Sequence, residues 1–363
     1  MTAVLRGIGV ATPRFDLEQG RAAEIAAGLM RLTERRGRSL ATLYAQTGVL
    51  TRQTVIAEDG RSVFFPEIPG PDASALQSEP GDGPTTGERV LRYREAAPAL
   101  AEEASRDCLD RAGVGGAQVT HLVMVSCTGF HAPGVDIGLI ASLGLRRTVQ
   151  RTMIGYMGCH GAINGLRVAS AIASSEPGAV VLLCCVEICS IHFQYRPVDG
   201  AVTANALFGD GAAACVITAA GDGPRLTAFG ANIFDDSQDE MGWRIGDHGF
   251  VMSLSARVPS LLRDHVSGWV DGWLADRGLS REAIPSWAIH PGGPRIVESV
   301  RQALDLDDAA VADALAVLHA HGNMSSPTIL FILRRMLDRG AALPLVALAF
   351  GPGLAGEAVM IEA

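Results

Sequence analysis

Short runs of continuous apolar residues alternate along the chain with longer stretches in which apolar positions recur every three or four residues. The first pattern suits strands buried on both faces, the second amphipathic helices packed against them. Strands are expected at Ala3 to Val10, His121 to Ser126, Ala179 to Val186 and Ala212 to Thr218, with helices near Leu17 to Leu32, Tyr93 to Ala112 and Cys159 to Ser174. After Ala220 to Arg225 the rhythm starts again. Strands near Leu226 to Ile233, Ser286 to His290, Leu345 to Phe350 and Glu357 to Glu362 alternate with helices near Val258 to Asp276, Arg295 to Leu304, Ala309 to Leu318 and Ser326 to Arg339. The pattern predicts an α/β fold of two related halves, residues 1–220 and 221–363. Glu58 to Thr86, rich in Pro, Gly, Asp and Ser and without sustained period, is expected to be a long surface loop or a partly ordered lid.

Composition narrows the function. With 363 residues and 48% hydrophobic positions the chain can bury a large core. Its longest apolar runs, such as Gly178 to Cys185, fall short of the roughly 18 residues a spanning helix needs. The N-terminus does not read as a cleaved signal peptide, so the expected setting is cytoplasmic, with no membrane span. A formal net charge of -9 without a basic block argues against nucleic acid as a partner. There is no lysine, so Schiff-base catalysis and a P-loop lysine are excluded. Seven cysteines in no C-x-x-C pair indicate reduced thiols rather than a disulfide framework or a metal site. Cys184, Cys185 and Cys189 are expected to be small buried hydrophobes.

The segment Ile154-Gly155-Tyr156-Met157-Gly158-Cys159-His160-Gly161 runs an apolar strand into a glycine-flanked cysteine that opens a helix of small residues. Backbone N–H groups at a helix start favour a thiolate, and flanking glycines let a bulky acyl group approach. A packing cysteine at a tight turn explains the segment equally well. His290 ends an apolar strand and is followed by Pro291-Gly292-Gly293-Pro294, where α/β proteins place functional side chains. His121, His248, His265 and His319 are expected to be satisfied structural histidines. Asn323 sits in the turn Gly322-Asn323-Met324-Ser325-Ser326, and since either serine can cap the helix that follows, its amide is spare for another task. The order Cys, His, Asn is also that of papain-like proteases. The local strings differ from theirs, and Met157 stands where a nucleophile elbow has its first glycine.

Four strings together, HPGGP at His290, GNMSS at Gly322 to Ser326, LFGDGAAA at Leu207 to Ala214 and FGPGL at Phe350 to Leu354, resemble the thiolase-like condensing enzymes, and among them the bacterial type III polyketide synthases of the chalcone and stilbene synthase superfamily. The resemblance implies a thiolase-like duplicated αβαβα layered fold. It implies that Cys159 holds an acyl-CoA starter as a thioester, and that malonyl-CoA loses CO2 to give an enolate. His290 Nε2–H and the Asn323 amide would stabilise that enolate's oxygen, with His290 also supporting the Cys159 thiolate. CoA thioesters would be substrates, with no metal and no further cofactor. A homodimer is implied, with an acyl carrier protein as an alternative donor.

By the same resemblance Phe208 matches a gatekeeper phenylalanine and Met252 a second gatekeeper position. Cys127, Ala132 and His192 match cavity positions, Ala132 standing where plant enzymes insert a methionine from the neighbouring subunit. Ser325, Gly351 and Pro352 fall among substrate-contacting residues. Ala349 departs from the family's glycine. The family's basic CoA-binding residues find no match, because Leu40, Leu43 and Thr47 fall about there. Arg295 with Gly292 and Gly293, or Arg35 and Arg36, would hold the CoA phosphates instead. The cavity substitutions, with the segment Val186 to Gln194, which resembles bacterial synthases that accept alkyl starters, imply a fatty acyl starter and an alkylpyrone or alkylresorcinol product. Single ketoacyl condensation, and a non-catalytic acyl-CoA-binding protein on the same fold, stand as alternatives.

Overall fold

The computed structural model describes residues 2–56, 81–197 and 200–363, so the expected loop from Glu58 lies outside the described residues as far as Pro80. The first half runs β1 (Ala3–Ala11), β2 (Asp16–Glu18), α1 (Gln19–Leu29), α2 (Glu34–Gln46), β3 (Thr51–Gln53), α3 (Thr86–Ala112), β4 (His121–Ser126), α4 (Val135–Ser142), β5 (Gln150–Gly155), α5 (Gly161–Ser175), β6 (Val180–Ile188), α6 (Ala201–Leu207) and β7 (Asp210–Thr218). The second runs β8 (Arg225–Ile233), β9 (Met241–Gly246), β10 (Gly249–Leu254), α7 (Val258–Ala275), β11 (Ser286–Ile289), α8 (Pro294–Ala303), α9 (Ala312–His321), α10 (Pro327–Asp338), β12 (Leu345–Gly351) and β13 (Ala355–Glu362).

Nine strands form one mixed sheet in the order β11-β12-β13-β8-β1-β7-β6-β4-β5. Its two ends share a pairing scheme. In the first half β4 is parallel to β6, β6 antiparallel to β7 and β7 antiparallel to β1. In the second, β11 is parallel to β12, β12 antiparallel to β13 and β13 antiparallel to β8. The halves meet where Ala3 and Val4 of β1 pair with Leu226 and Arg225 of β8.

Helices fill the space between and outside these ends. Ile163 and Leu166 of α5 and Ile329 and Leu333 of α10 share one core with Val125 and Leu183 of the first half and Ala347 and Val359 of the second. Outer layers cover the remaining faces: α3 and α4 pack on Met124, Leu182 and Ala214, while α7 and α8 pack on Leu348, Ala358 and Met360. The central helices carry apolar residues around most of their circumference because both sides are buried.

Three expectations need correction. The helix after the cysteine begins at Gly161, because Gly158–His160 form a separate 3-10 turn. Thr86 belongs to α3 rather than to the preceding loop, since Thr85 caps that helix by accepting from the Glu88 N–H while the Glu88 carboxylate accepts from the Thr85 N–H. His265 and His319 are exposed, whereas His121 bonds Thr120 Oγ1 and His248 bonds the Gly83 carbonyl.

Candidate active site

The starts of the two central helices converge. Leaving β5, the chain turns through Tyr156 and Gly158, both with positive φ (62° and 70°), and delivers buried Cys159 just ahead of α5. A Cβ on Gly158 would sit 2.7 Å from Pro352 Cδ, and one on Gly351 would sit 2.6 Å from His160 Cδ2. The glycines therefore let the turn after β12 press against the cysteine turn. From the other half, Gly322 (φ 68°) brings its backbone so near the Leu207 carbonyl that a Cβ would stand 2.7 Å away. Asn323 N–H donates to Leu207 O at 2.9 Å, and Gly209 N–H donates to Asn323 O at 3.0 Å. The LFGDG and GNMSS strings are thus docked backbone to backbone, with Phe208 paired to Asn323.

Asn323 is oriented by its own turn. Its Oδ1 accepts from Ser325 N–H at 2.8 Å, which leaves Nδ2–H as the free donor, 3.8 Å from Cys159 Sγ. Ser326 stands at the N-cap of α10 but makes no side-chain cap, its hydroxyl donating instead to Glu187. Burial pushes the Cys159 thiol up to about 11, against the opposing pull of bonds from Ser325 and Asn323. Desolvation therefore outweighs the helix start that was expected to favour the thiolate.

His290 directly follows β11, tied by its N–H to Leu348 O at 2.8 Å, and it is buried. Neither ring nitrogen has a hydrogen-bond partner. Burial, with a smaller effect from His160, pushes its pKa down to about 3, so the ring is neutral. The structure therefore brings Asn323 and Ser325 to the Cys159 thiol, while His290 bonds none of them and is tied to the site through its neighbour His160, which follows the nucleophile. Among the described residues neither nitrogen is engaged, so the ring has donor and acceptor capacity to offer a ligand.

Two neighbours escaped the sequence analysis. Glu187, near the end of β6, is fully buried and accepts from Cys127 N–H, Thr128 N–H, Thr128 Oγ1 and Ser326 Oγ. Burial raises its pKa while these donors lower it. The Cys127 thiol lies 3.3 Å from Glu187 Oε1 and 3.8 Å from Ser325 Oγ, so Cys127 and Ser325 do join the site. His160 Nδ1 bonds Asn164 Oδ1 at 2.7 Å, in a chain that continues to Glu357 and Arg167. The signals were a single Glu in the run Val180 to Ile188 and a His beside the nucleophile.

Behind Phe208 lies a cavity walled by Leu17, Ile25, Ile56, Phe193, Phe250 and Met252, which His192 and Cys189 also line. His192 is a brace: Nε2 donates to Thr128 O at 2.6 Å, Nδ1 accepts from Phe250 N–H at 3.0 Å, and the ring stacks on Phe250 at 4.1 Å. Burial pushes its pKa down to about 3. On the outside, Arg295, Gly292 and Gly293 line a cleft together with Leu43 and Thr47. Arg35 and Arg36, at the other end of α2, do not reach it. Ala132 is exposed in a separate cleft beside Phe130, Ile137 and Met153, away from the cavity its position was expected to line. Among the described residues no cluster of His, Cys, Asp or Glu is placed to hold a metal, and no helix is long and apolar enough to cross a membrane.

A duplicated αβαβα scaffold, with a cysteine before one central helix and an asparagine before the other, is the thiolase-like class of fold. Residues 3–221 match the family model described as chalcone and stilbene synthases, N-terminal domain, and residues 226–363 match the C-terminal domain of the same family. The chain belongs to the chalcone and stilbene synthase family, as an acyltransferase of its type III polyketide synthase class. It is 30% identical over 372 residues to the alpha-pyrone synthesis polyketide synthase-like Pks18 of Mycobacterium tuberculosis, covering 99% of this chain and 91% of that protein. It is 36% identical over 274 residues to 1,3,6,8-tetrahydroxynaphthalene synthase of Streptomyces peucetius, covering 73% of this chain and 72% of that one. The crystal structure of PKS-I from the brown alga Ectocarpus siliculosus superposes with a TM-score of 0.89 at 28% identity, covering 99% of this chain and 98% of that one.

Proposed function

We propose that Cys159 carries the growing acyl chain and that His290 and Asn323 stabilise the enolate formed when malonyl-CoA loses CO2. The observation that carries this reading is the pair of bare nitrogens on buried His290, in a site where Asn323 Nδ2–H already faces the thiol. Neutral His290 takes the Cys159 proton as Sγ attacks the starter thioester, and the departing CoA thiolate is then protonated. In the extension step the C–C bond to the malonyl carboxylate breaks, CO2 leaves, and the electron pair is delocalised onto the thioester oxygen. Donors already aimed at that oxygen lower the barrier without reorganising. The enolate carbon attacks the acyl group on Cys159, giving a β-ketoacyl-CoA and freeing the Sγ thiolate, which takes the lengthened chain back from CoA, with CoA leaving as its thiol, before the next round. CoA thioesters supply all the carbon, and this chemistry calls on no metal or redox cofactor.

For the starter we favour an alkyl chain, because the cavity walls behind Phe208 are aliphatic and aromatic and Met252 adapts to irregular shapes. Cyclisation to an alkylpyrone or alkylresorcinol would follow. Arg295, exposed and without an ion pair among those formed by the described residues, is suited to the CoA phosphates at the outer cleft. Edge strand β5 and the exposed Phe130 (70%), Met153 (58%) and Tyr156 (62%) suit a homodimer contact. The setting we assign is the cytoplasm, and we divide the chain into homologous halves near residue 221.

The test is incubation of the purified enzyme with labelled malonyl-CoA and starters from acetyl to palmitoyl to aryl CoA, followed by product masses. Cyclised polyketides with release of CO2 and CoA are expected. A linear β-ketoacyl product alone would mean single condensation, and no turnover of any starter would defeat the assignment.

A further inference from the structure

The cavity behind Phe208 has an imbalance in its hydrogen bonds. Most polar groups on its wall are satisfied. His192 uses both ring nitrogens, Asn205 Oδ1 accepts from Gln194 N–H at 2.9 Å while Asn205 Nδ2 donates to Gln194 O at 2.8 Å, and Ser190 Oγ donates to Asp210 at 2.5 Å. Two neighbours differ. Arg52 donates Nη1–H to the Asn205 and Phe208 carbonyls at 2.8 and 2.9 Å, and Nη2–H to Ala206 O and the Gln19 side chain, but its Nε–H has no partner. Tyr44 is 1% exposed, and its hydroxyl also has none. The guanidinium carbon lies 5.8 Å from the Tyr44 ring centroid, and both residues line the cavity.

Leaving a buried donor without an acceptor is costly, and most native positions avoid it. Two such donors on neighbouring residues of one cavity call for an oxygen acceptor, borne on an apolar chain because Leu17, Ile25, Phe250 and Met252 form much of the remaining wall. Phe208 is a wall of this cavity, its carbonyl is held by Arg52, and its backbone is paired with Asn323 beside the nucleophile. Phe208 thus joins the wall of this cavity to the turn that carries Asn323 to the Cys159 thiol. Iterative condensation generates the matching ligand, because each round leaves a ketone two carbons further along the chain. A carboxylate fits less well, since Asp210 already acts on Arg52 and a second buried anion would face it.

We infer that Tyr44 Oη–H and Arg52 Nε–H form a subsite that holds a keto oxygen of the β-ketoacyl chain tethered at Cys159, a role that rests on the synthase assignment above. Held there, the chain stays extended past Phe208 rather than folding back to close a ring, so further malonyl units add before release. A starter that itself carries a ketone offers the same chemistry, and the experiment must separate the two sources.

Tyr44→Phe removes one donor and little volume. Wild type and variant are given hexanoyl-CoA or 5-oxohexanoyl-CoA with malonyl-CoA, and products are counted per Cys159 acylated so that differences in loading drop out. With hexanoyl-CoA the ratio of longer to shorter polyketides is expected to fall roughly tenfold in the variant, the worth of one buried hydrogen bond. The melting temperature should hold or rise, because an orphaned hydroxyl has gone. If instead only a wild-type preference for 5-oxohexanoyl-CoA disappears, the subsite stands with the starter as its source. An unchanged product ratio and unchanged starter preference overturn the subsite, as does a parallel loss of all products with a lowered melting temperature, which marks plain packing. Failure of the wild type to release CO2 with any starter would strike the synthase assignment instead.

Discussion

Substitutions at Asn323 separate a chemical role from a turn-forming one. In the structure its Oδ1 holds the Ser325 N–H at 2.8 Å while Nδ2–H faces Cys159 Sγ at 3.8 Å. Asn323→Asp keeps the first contact and destroys the second, whereas Asn323→Ala removes both. If the amide stabilises the enolate, losing the donor costs about 3 kcal/mol of barrier, two to three orders of magnitude in rate. Asp adds a further penalty. A carboxylate about 4 Å from the developing charge of the enolate repels it by about 4 kcal/mol at an effective dielectric of about 20. Asp should therefore be at least as inactive as Ala, although it folds better because the Ser325 N–H keeps its acceptor. The assay is conversion of malonyl-CoA to acetyl-CoA and CO2 without starter, with thermal melts alongside. A turn-forming role predicts the opposite order, Asp close to wild type and Ala worse. Asp within about threefold of the wild-type rate would refute the argument.

Cys159→Ala should abolish polyketide formation but leave malonyl-CoA decarboxylation within about tenfold of wild type, because His290 and Asn323 remain; mass spectrometry and acetyl-CoA release read the two activities. His192 and His290 are both held neutral, with pKa values pushed down to about 3, so the unfolded chain binds protons that the folded chain refuses as pH falls below about 6.5. Stability should then be complete above that pH and decline towards pH 3, by about 1.4 kcal/mol per unit for each ring. Urea midpoints at pH 7 and 5 measure the decline, and His290→Gln should remove part of it, the rest coming from His192 and from His131, His160 and His321, which burial also pushes down. Arg295→Ala should raise KM for acyl-CoA about fivefold at low ionic strength with kcat unchanged, the gap narrowing as salt screens the phosphates; equal KM values at low salt would remove Arg295 from the CoA site.

The main strands and long helices were legible because they are buried on two faces or carry a broad apolar stripe, and His121–Ser126 falls where the apolar run puts it. Elements whose apolar content is thin were not. In α2 only Leu40 and Tyr44 are buried, so no period emerges, yet this helix supplies Tyr44 to the cavity and Leu43 to the outer cleft. The hairpin of β9 and β10 is short and mostly polar on one face, and it brings Trp243, Phe250 and Met252 to the same cavity. Cys159, His290 and Asn323 could be picked out because glycine-rich turns mark them in sequence. Glu187 could not, since nothing in an apolar run tells whether a lone carboxylate faces a solvent edge or, as here, a ring of buried donors. Sequence also carries no measure of desolvation, which is why the thiol expected to ionise at a helix start has its pKa pushed up instead.

The repeated pairing scheme explains why the site has the parts it has. Superimposing the schemes sets β4 on β11 and α5 on α10, so the residue after each strand and the residues before each central helix face one another across the pseudo-symmetric centre. Cys127 thus corresponds to His290, and the Cys159 turn to the Asn323 turn. The two halves have resolved the same geometry in opposite ways. After β4, Glu187 takes the Cys127 and Thr128 N–H groups and lies against the Cys127 thiol, closing that strand end. After β11, neither nitrogen of His290 has a hydrogen-bond partner among the described residues. One strand end is sealed and fixes the frame, while its counterpart is left open at the energetic cost of two unpaired nitrogens. That asymmetry, imposed on a duplicated scaffold, leaves the unmet hydrogen-bonding capacity at the strand end that the proposed mechanism assigns to the thioester oxygen.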